Sequence, residues 1–355
     1  MSLGTQPQLS EELVREGEEL LRARQLPAAL HRLNEAVGAG ADPDRCDASK
    51  WTIYMLLGDY EGAWRLSDAI SRRGAPDVHR LWNGERLRGR RVMVRCLHGY
   101  GDAVQFLRYA PRLREIAAEV VYEVPPRLFE VATWIKGVEQ VVTWGERRPR
   151  DPVPWDVQVE VMQLPYVFRT QLHDLPLIER YLEPPPTARG AVLNERFRVG
   201  INCTAGRWNA ERSIERRLLS VLDAMGGIEL FDLRGGEEAL VDHDSKSEET
   251  WRDYPQVRHS IGGLARAILQ MHLVITVDTL AAHLAGAMGV PCWIMLQHEA
   301  DWRWLHRRTD SPWYPSVQLF RQPVAGNWTH VVEQVAERLE RECTIWNVAR
   351  SIACE

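Results

Sequence analysis

From residue 90 onward, short runs of β-branched and aliphatic residues alternate with stretches whose apolar positions recur every three or four residues. Before residue 80 only the second, helical spacing occurs. The short runs predict strands at 91–97 (RVMVRCL), 119–124, 138–143, 155–162, 197–203 (FRVGINC), 228–233, 273–277, from Pro291 to Met295, and 317–321. Helices are expected at 103–117, near 166–173, at 261–271, from Leu280 to a stop at Gly289 and Pro291, and from Thr329 to about Glu342. Strands that alternate with helices build a parallel, doubly wound sheet. Glu183-Pro184-Pro185-Pro186, followed by a polar run to Arg196, cannot continue a helix or a central strand, so it divides this region into two αβ halves. Residues 234–250 are acidic and poorly periodic, and read as a loop.

The first part of the chain repeats itself. After a leader at 1–9, the segment 24–30 (RQLPAAL) aligns with 58–64 (GDYEGAW) at an offset of 34, and Gly40-Ala41 aligns with Gly74-Ala75 at the same offset. A 34-residue period with Ala at the close-packing position resembles the tetratricopeptide repeat, a pair of antiparallel helices. Two such units leave an apolar face uncovered, so they should dock on the following domain or on a second copy of the chain. A generic helical bundle would serve the same purpose, as a packing or recognition surface.

Composition narrows the class. With 45% hydrophobic and 26% charged residues the chain is an ordinary globular protein, and its net charge of −5 is not gathered into a basic stripe, which argues against nucleic acid as a partner. No apolar run approaches 18 residues and no signal-peptide pattern opens the chain, so a cytoplasmic protein without a membrane span is expected. Six cysteines lack any metal-ligand spacing and read as buried, reduced thiols. Fourteen Trp are more than one core requires; most are assigned to core and interdomain packing, although tryptophan also stacks on sugars and bases.

Three polar stretches carry candidate chemistry. His98-Gly99-Tyr100-Gly101-Asp102 follows a strand and opens a helix, with Gln105 one turn further on. Gly99 and Gly101 permit a tight turn, and Asp102 is either the helix N-cap or a carboxylate at the strand edge. The loop 204–213 carries Arg207 and Arg212, which suit phosphate oxygens and equally suit a solvated surface. Asp278 and Thr279 lie between a strand and a helix, where unpaired helix N–H groups favour an anion, and His283 lies one turn in. Read plainly, that last set is a cap and a core histidine. A dinucleotide-binding reading fails for want of the third glycine after Gly101, and nothing near Cys203 would activate it as a nucleophile.

Taken together, VDTLAAHLAGAMGVP (277–291), HGYGDAVQFLRYAPRL (98–113) and EADWRWLHRRTDSPWYPSVQLFRQPVAGNW (299–328) resemble glycosyltransferase family 9, the ADP-heptose:lipopolysaccharide heptosyltransferases. They are similar above all to its bacterial subgroup with tetratricopeptide repeats ahead of the transferase. The resemblance covers roughly 80–342. It implies an α/β architecture of the GT-B type: helical repeats at 10–80, an N-terminal Rossmann-like acceptor domain at 81–183, and a nucleotide-sugar domain at 197–342 facing it across a cleft. It implies an inverting hexosyl- or heptosyltransferase that needs no metal and no cofactor beyond its nucleotide-sugar substrate, with a protein or glycan acceptor. On that reading Asp102 is the general base. Asp278, Thr279, Leu280 and His283 meet the donor, Arg207 and Arg212 are candidates to meet its departing diphosphate, and the role of the lysine that the lipopolysaccharide enzymes carry in the 204–213 loop is either assumed by arginine or absent. His98, Gly101 and Gln105 line the acceptor side, and the repeats present the acceptor or join two copies. A degenerate member would instead be a scaffold or a nucleotide-sugar binding module.

Overall fold

The computed structural model describes residues 6–74, 82–135, 138–144, 155–176, 178–186, 196–234, 251–254, 257 and 259–353. The acidic stretch 235–250 and most of the polar run after Pro186 lie outside them. The chain starts with four helices, α1 (Gln6–Arg22), α2 (Leu26–Gly38), α3 (Pro43–Leu57) and α4 (Tyr60–Arg72). Pro27 lies in the first turn of α2, Asp42 caps α3 by accepting from the Asp44 N–H, Asp59 caps α4 through the Gly62 N–H, and Gly58 ends α3 with φ +77°. Ala29 and Ala63, one sequence repeat apart, are both fully buried.

Two parallel sheets follow. The first uses β1 (Arg91–Arg95), β2 (Glu119–Val124), β3 (Gln140–Thr143) and β4 (Val157–Glu160), in the order β3-β2-β1-β4. Its helices are α5 (Tyr100–Phe106), α6 (Ala110–Ile116), α7 (Phe129–Ala132) and α8 (Leu164–Val167). The second uses β5 (Phe197–Asn202), β6 (Ile228–Asp232), β7 (Arg252–Asp253), β8 (Leu273–Val277), β9 (Cys292–Leu296) and β10 (Val317–Arg321), in the order β10-β9-β8-β5-β6-β7. With it come α9 (Ser220–Asp223), α10 (Ile261–Ile268), α11 (Leu280–Met288) and α12 (Trp328–Ala353). β8 and β9 are buried at every position, as parallel strands covered on both faces must be.

β7, α7 and α9 are not expected from the sequence, the strands expected at 91–97 and 155–162 are shorter, and three expected helices change shape. The helix expected at 103–117 is broken into α5, a tight turn at Leu107–Tyr109, and α6, because Pro111 has no N–H with which to continue the ladder. Near 166–173 only α8 and a turn at Leu172–Asp174 form, and Arg169 between them takes φ +50°. The final helix runs on past Glu342 to Ala353, and within this extension the Trp346 ring packs at a tilt against Phe197 and His272 at 5.7 and 5.3 Å.

A single apolar cluster joins the lobes: Val104, Phe106 and Leu107 belong to the same packed group as Ala281, Leu284, Trp304 and Trp313. The reverse face of the second sheet packs against α12 through Val331, Val335 and Leu339. The helical segment docks on both lobes. Trp64 Nε1 donates to the Thr170 carbonyl at 2.8 Å, and Trp51 meets Trp302 edge-on at 5.7 Å. Cys46, Cys96, Cys203, Cys292 and Cys343 are free and buried; Cys354 lies outside the described residues. Among the described residues no helix is long and apolar enough to cross a membrane.

Candidate active site at the junction of the two sheets

In each sheet the first strand has neighbours reached by crossovers in opposite directions, and such a switch point opens a crevice at the carboxyl ends of the strands. In the second sheet it lies between β5 and β8. Asn202, the last residue of β5, donates from Nδ2 to Thr279 Oγ1 at 3.4 Å and accepts from the Thr204 N–H at 3.1 Å. Thr276 Oγ1 lies 3.1 Å from the same Thr279 hydroxyl. Thr279 precedes α11 in an extended conformation, yet its side chain makes no capping bond. The first N–H groups of α11, from Leu280 on, therefore lack a side-chain cap, and the positive end of the helix faces the crevice.

Asp278 is buried beside them. Arg212 Nη1 donates both to its carboxylate, at 3.1 Å, and to its carbonyl, at 2.9 Å. Burial pushes the Asp278 carboxyl above its usual range and Asp301 adds to the rise, while Arg212 opposes it. Arg207 begins the short turn Arg207–Arg212, and its side chain lies outside the described residues.

The first sheet has its switch point between β1 and β4. Gly99, not Asp102, is the residue that precedes α5; Asp102 is the third residue of the helix. Its carboxylate accepts from Arg303 Nη2 at 2.7 Å. His98 Nε2 stands 4.0 Å from Glu160 Oε1, at the end of β4. Gln105 is fully buried, and neither atom of its amide has a hydrogen-bond partner among the described residues.

The two switch points meet where α5 crosses α11. A Cβ on Gly101 would lie 2.7 Å from His283 Cδ2, so only glycine allows this approach. The His283 ring stacks on Trp304 at 5.5 Å, and its Nδ1 lies 2.9 Å from the Tyr314 hydroxyl. Burial first, then the positive charges of Arg303, Arg108 and Arg212, hold its pKa down to about 3. His283 is therefore neutral near pH 7 and brings no cation to the crevice. Arg108 locks the same seam. Its guanidinium is fully buried, donates to the carbonyls of Trp313 (2.6 Å) and Gln105 (2.9 Å), and lies over the rings of Tyr181, Trp313 and Tyr314.

Of the residues singled out from the sequence, the structure thus gathers Gly101, Asp102, Gln105, Arg212, Asp278, Thr279, Leu280 and His283 around the α5–α11 crossing. His98 stands with Glu160 on the first sheet. Sequence reasoning missed Arg303, Arg108, Glu160 and Tyr314. The D-W-R-W and S-P-W-Y-P motifs contained two of them, but nothing in a linear motif says that Arg303 faces Asp102.

No protein-family model matches the chain. Protein FlbA of Caulobacter vibrioides is 24% identical over 372 aligned residues, which take in 89% of this chain and 59% of FlbA; the chain thus spans less than two thirds of that relative's length. Among solved structures, a glycosyl transferase family 9 protein from Veillonella parvula superposes with a TM-score of 0.53 at 13% identity, covering 74% of this chain and 99% of the other. The ADP-heptose lipopolysaccharide heptosyltransferase II of E. coli gives a TM-score of 0.49 at 12% identity, over 72% and 99% of the two chains. The likeness to the Veillonella protein is one of fold: two parallel α/β lobes in the arrangement of that glycosyltransferase.

Proposed function

We propose that the chain is an inverting glycosyltransferase that moves a sugar from a nucleotide-sugar donor onto a protein or glycan acceptor. On this reading residues 10–80 are tetratricopeptide-like repeats that present the acceptor, 81–183 form the acceptor domain and 197–342 the donor domain. The observation that carries the proposal is the meeting of two switch points: Arg303 holds the Asp102 carboxylate of one and, by its charge alone, favours the ionised Asp278 at the edge of the other. The donor diphosphate is assigned to the uncapped start of α11, where Thr279, Leu280 and Arg212 supply hydrogen-bond donors and positive potential.

Asp102 takes the proton of the acceptor hydroxyl as its oxygen attacks the anomeric carbon. The bond from that carbon to the diphosphate breaks on the opposite face, and its electron pair leaves with the phosphate oxygen. Arg212 and the helix N–H groups answer that charge, so the step needs no metal. His283, being neutral, offers a hydrogen bond and a flat ring instead of charge. Calorimetry against ADP-, GDP-, UDP- and dTDP-sugars tests the donor half. Asp102→Asn tests the other, with turnover expected to fall by about 10²-fold or more while donor binding stays.

A second reading is favoured by the close packing of the seam. Gly101 touches His283, and the carboxylates of Asp102 and Asp278 already hold Arg303 and Arg212. A chain locked in this way would be a scaffold without turnover. Absence of binding to every nucleotide sugar, together with no effect of Arg212→Gln on any ligand, would select it.

A further inference from the structure

The carboxyl ends of β9 and β10 lead to a second cluster of charge that the proposed transfer does not use. Arg321 ends β10, and its guanidinium donates from Nε to the Arg308 carbonyl at 3.0 Å and from Nη2 to the Trp304 carbonyl. Arg24 comes from the turn between α1 and α2; it donates from Nη2 to the Ala300 carbonyl at 2.6 Å and from Nε to the His298 carbonyl at 3.4 Å. Both guanidiniums are therefore held on carbonyls of one loop, 298–308. That loop also carries His298, His306 and Arg307. The His306 N–H donates to the Leu56 carbonyl at 2.8 Å, which ties the loop to α3.

None of these five side chains has an ion-pair partner among the described residues. Their charges act on one another: after burial, Arg307, Arg24, Arg321 and His298 each push the His306 imidazole down, and burial with Arg24 lowers the Arg321 guanidinium to about 10. Glu299 and Asp301 favour the charge on Arg24, but Asp301 is already held by Arg303 at 2.7 Å. The backbone is also unusual here. Arg24, Leu305 and Arg307 take φ of +59°, +54° and +59°, and only Arg169 joins them among the described non-glycine residues.

Carbonyls fix the direction of a guanidinium but bring no net negative charge, and the exposed Glu299 carboxylate, which acts on Arg24 without an ion pair to it, offsets one charge of three, so the junction stays positive and short of an anion. Nη1 of Arg24 and Nη1 of Arg321 have no protein partner among the described residues, and arginine pairs best with planar or tetrahedral oxyanions. We propose that this junction binds a phosphate group, clamped between the helical segment and the second sheet by Arg24, Arg321 and His306, with Arg307 at its rim. Phosphate is preferred to a carboxylate because three guanidiniums match a dianion.

The test uses the whole chain, titrated with inorganic phosphate and separately with ADP by calorimetry and thermal shift, at ionic strength held constant with chloride. Arg24→Gln and the exposed Arg307→Gln are each expected to weaken phosphate binding at least tenfold. Removing a like charge should leave the melting temperature of Arg307→Gln in chloride unchanged or raised, whereas a purely structural arginine would lower it. Arg321→Gln should act as Arg24→Gln does; since it is largely buried, the other two variants carry the test if it fails to fold. ADP affinity that falls in Arg24→Gln supports the site and assigns its phosphate to a nucleotide. ADP affinity that falls only in Arg212→Gln, with inorganic phosphate still lost in Arg24→Gln, supports the site and assigns it to a different phosphorylated ligand. Absence of phosphate binding, equal binding by all variants, or loss in Arg212→Gln alone overturns the proposal.

Discussion

Arg303 reaches out of the second sheet's lobe to hold Asp102 of the first at 2.7 Å, and holds Asp301 at the same distance with its other terminal nitrogen. The pair spans 201 residues of sequence. Since Arg303 is buried and keeps Asp301 when Asp102 is neutralised, Asp102→Asn should cost only about 1 kcal/mol of stability. If Asp102 is the proposed general base, the same variant should lose on the order of 10²- to 10⁴-fold in turnover. Arg303→Gln is the harsher change, about 3 kcal/mol, because it strands two carboxylates in a half-buried seam. Urea unfolding read beside transfer rates separates the effects, and full activity in Asp102→Asn would remove this residue from the mechanism.

Gln105 sets stability against function. A fully buried amide that has no partner among the described residues destabilises the fold, and an apolar side chain of similar volume would not. Gln105→Met should therefore raise the unfolding free energy by about 1 to 2 kcal/mol. If the amide serves the acceptor, the same variant should raise the acceptor KM. A variant that is neither more stable nor slower would show that Gln105 has a partner in solution.

Much of this could be read from the chain beforehand. The strands at 119–124, 273–277 and 317–321 lie where apolar runs bounded by turn residues placed them. Such runs are short and local, and a parallel sheet buries them whole. What linear patterns do not carry is which motif meets which. Phe106 packs on Trp302 and Trp313, and Gly101 on His283, because α5 and α11 cross, and only the assembled lobes determine that crossing. Asp102 shows the same limit. Alone it has the look of an N-cap, and its true partner lies two hundred residues away in the packed chain.

Histidine 283 should make the fold acid-sensitive. Its pKa is pushed down to about 3 in the folded chain, against an ordinary value of 6.5. Below pH 6.5 the unfolded chain binds a proton that the folded chain refuses, so stability is intact above 6.5 and is lost as pH falls toward 3. At pH 5 the loss from this residue is about 2 kcal/mol. His272 and His306 are also pushed down and act in the same direction, so the wild-type profile alone does not isolate His283. His283→Gln should be less stable at pH 7 and should have a flatter profile between pH 7 and 5. Parallel profiles would mean that the imidazole titrates normally.

Trp302 touches all three parts of the molecule. Its ring meets Trp51 of α3 edge-on at 5.7 Å, stacks near Phe106 of α5 at 6.5 Å, and meets Trp313 at 6.2 Å. The Arg303 guanidinium lies over it at 4.6 Å. One side chain thus links docking of the helical segment to the seam that holds Asp102. With a shared core, the wild-type protein should unfold in one calorimetric transition. Trp302→Ala, at a cost of about 3 kcal/mol, weakens the helical dock more than either sheet, because the sheets keep Arg108 and their own packing. The helices keep Trp64, Tyr60, the Arg24 bonds to the His298 and Ala300 carbonyls, the Leu56 carbonyl that accepts from the His306 N–H, and a few ion pairs worth little each, but they lose the aromatic centre of the dock. The variant should therefore show an early transition for the first 74 residues, followed by a later one for the two sheets. A single transition that merely shifts downward would mean that Tyr60 on Trp313, Trp64 on Thr170, Arg24 on the His298 and Ala300 carbonyls and His306 on Leu56 suffice to couple the helices to the lobes, and that the helical segment has no separate route through Trp302 to Asp102.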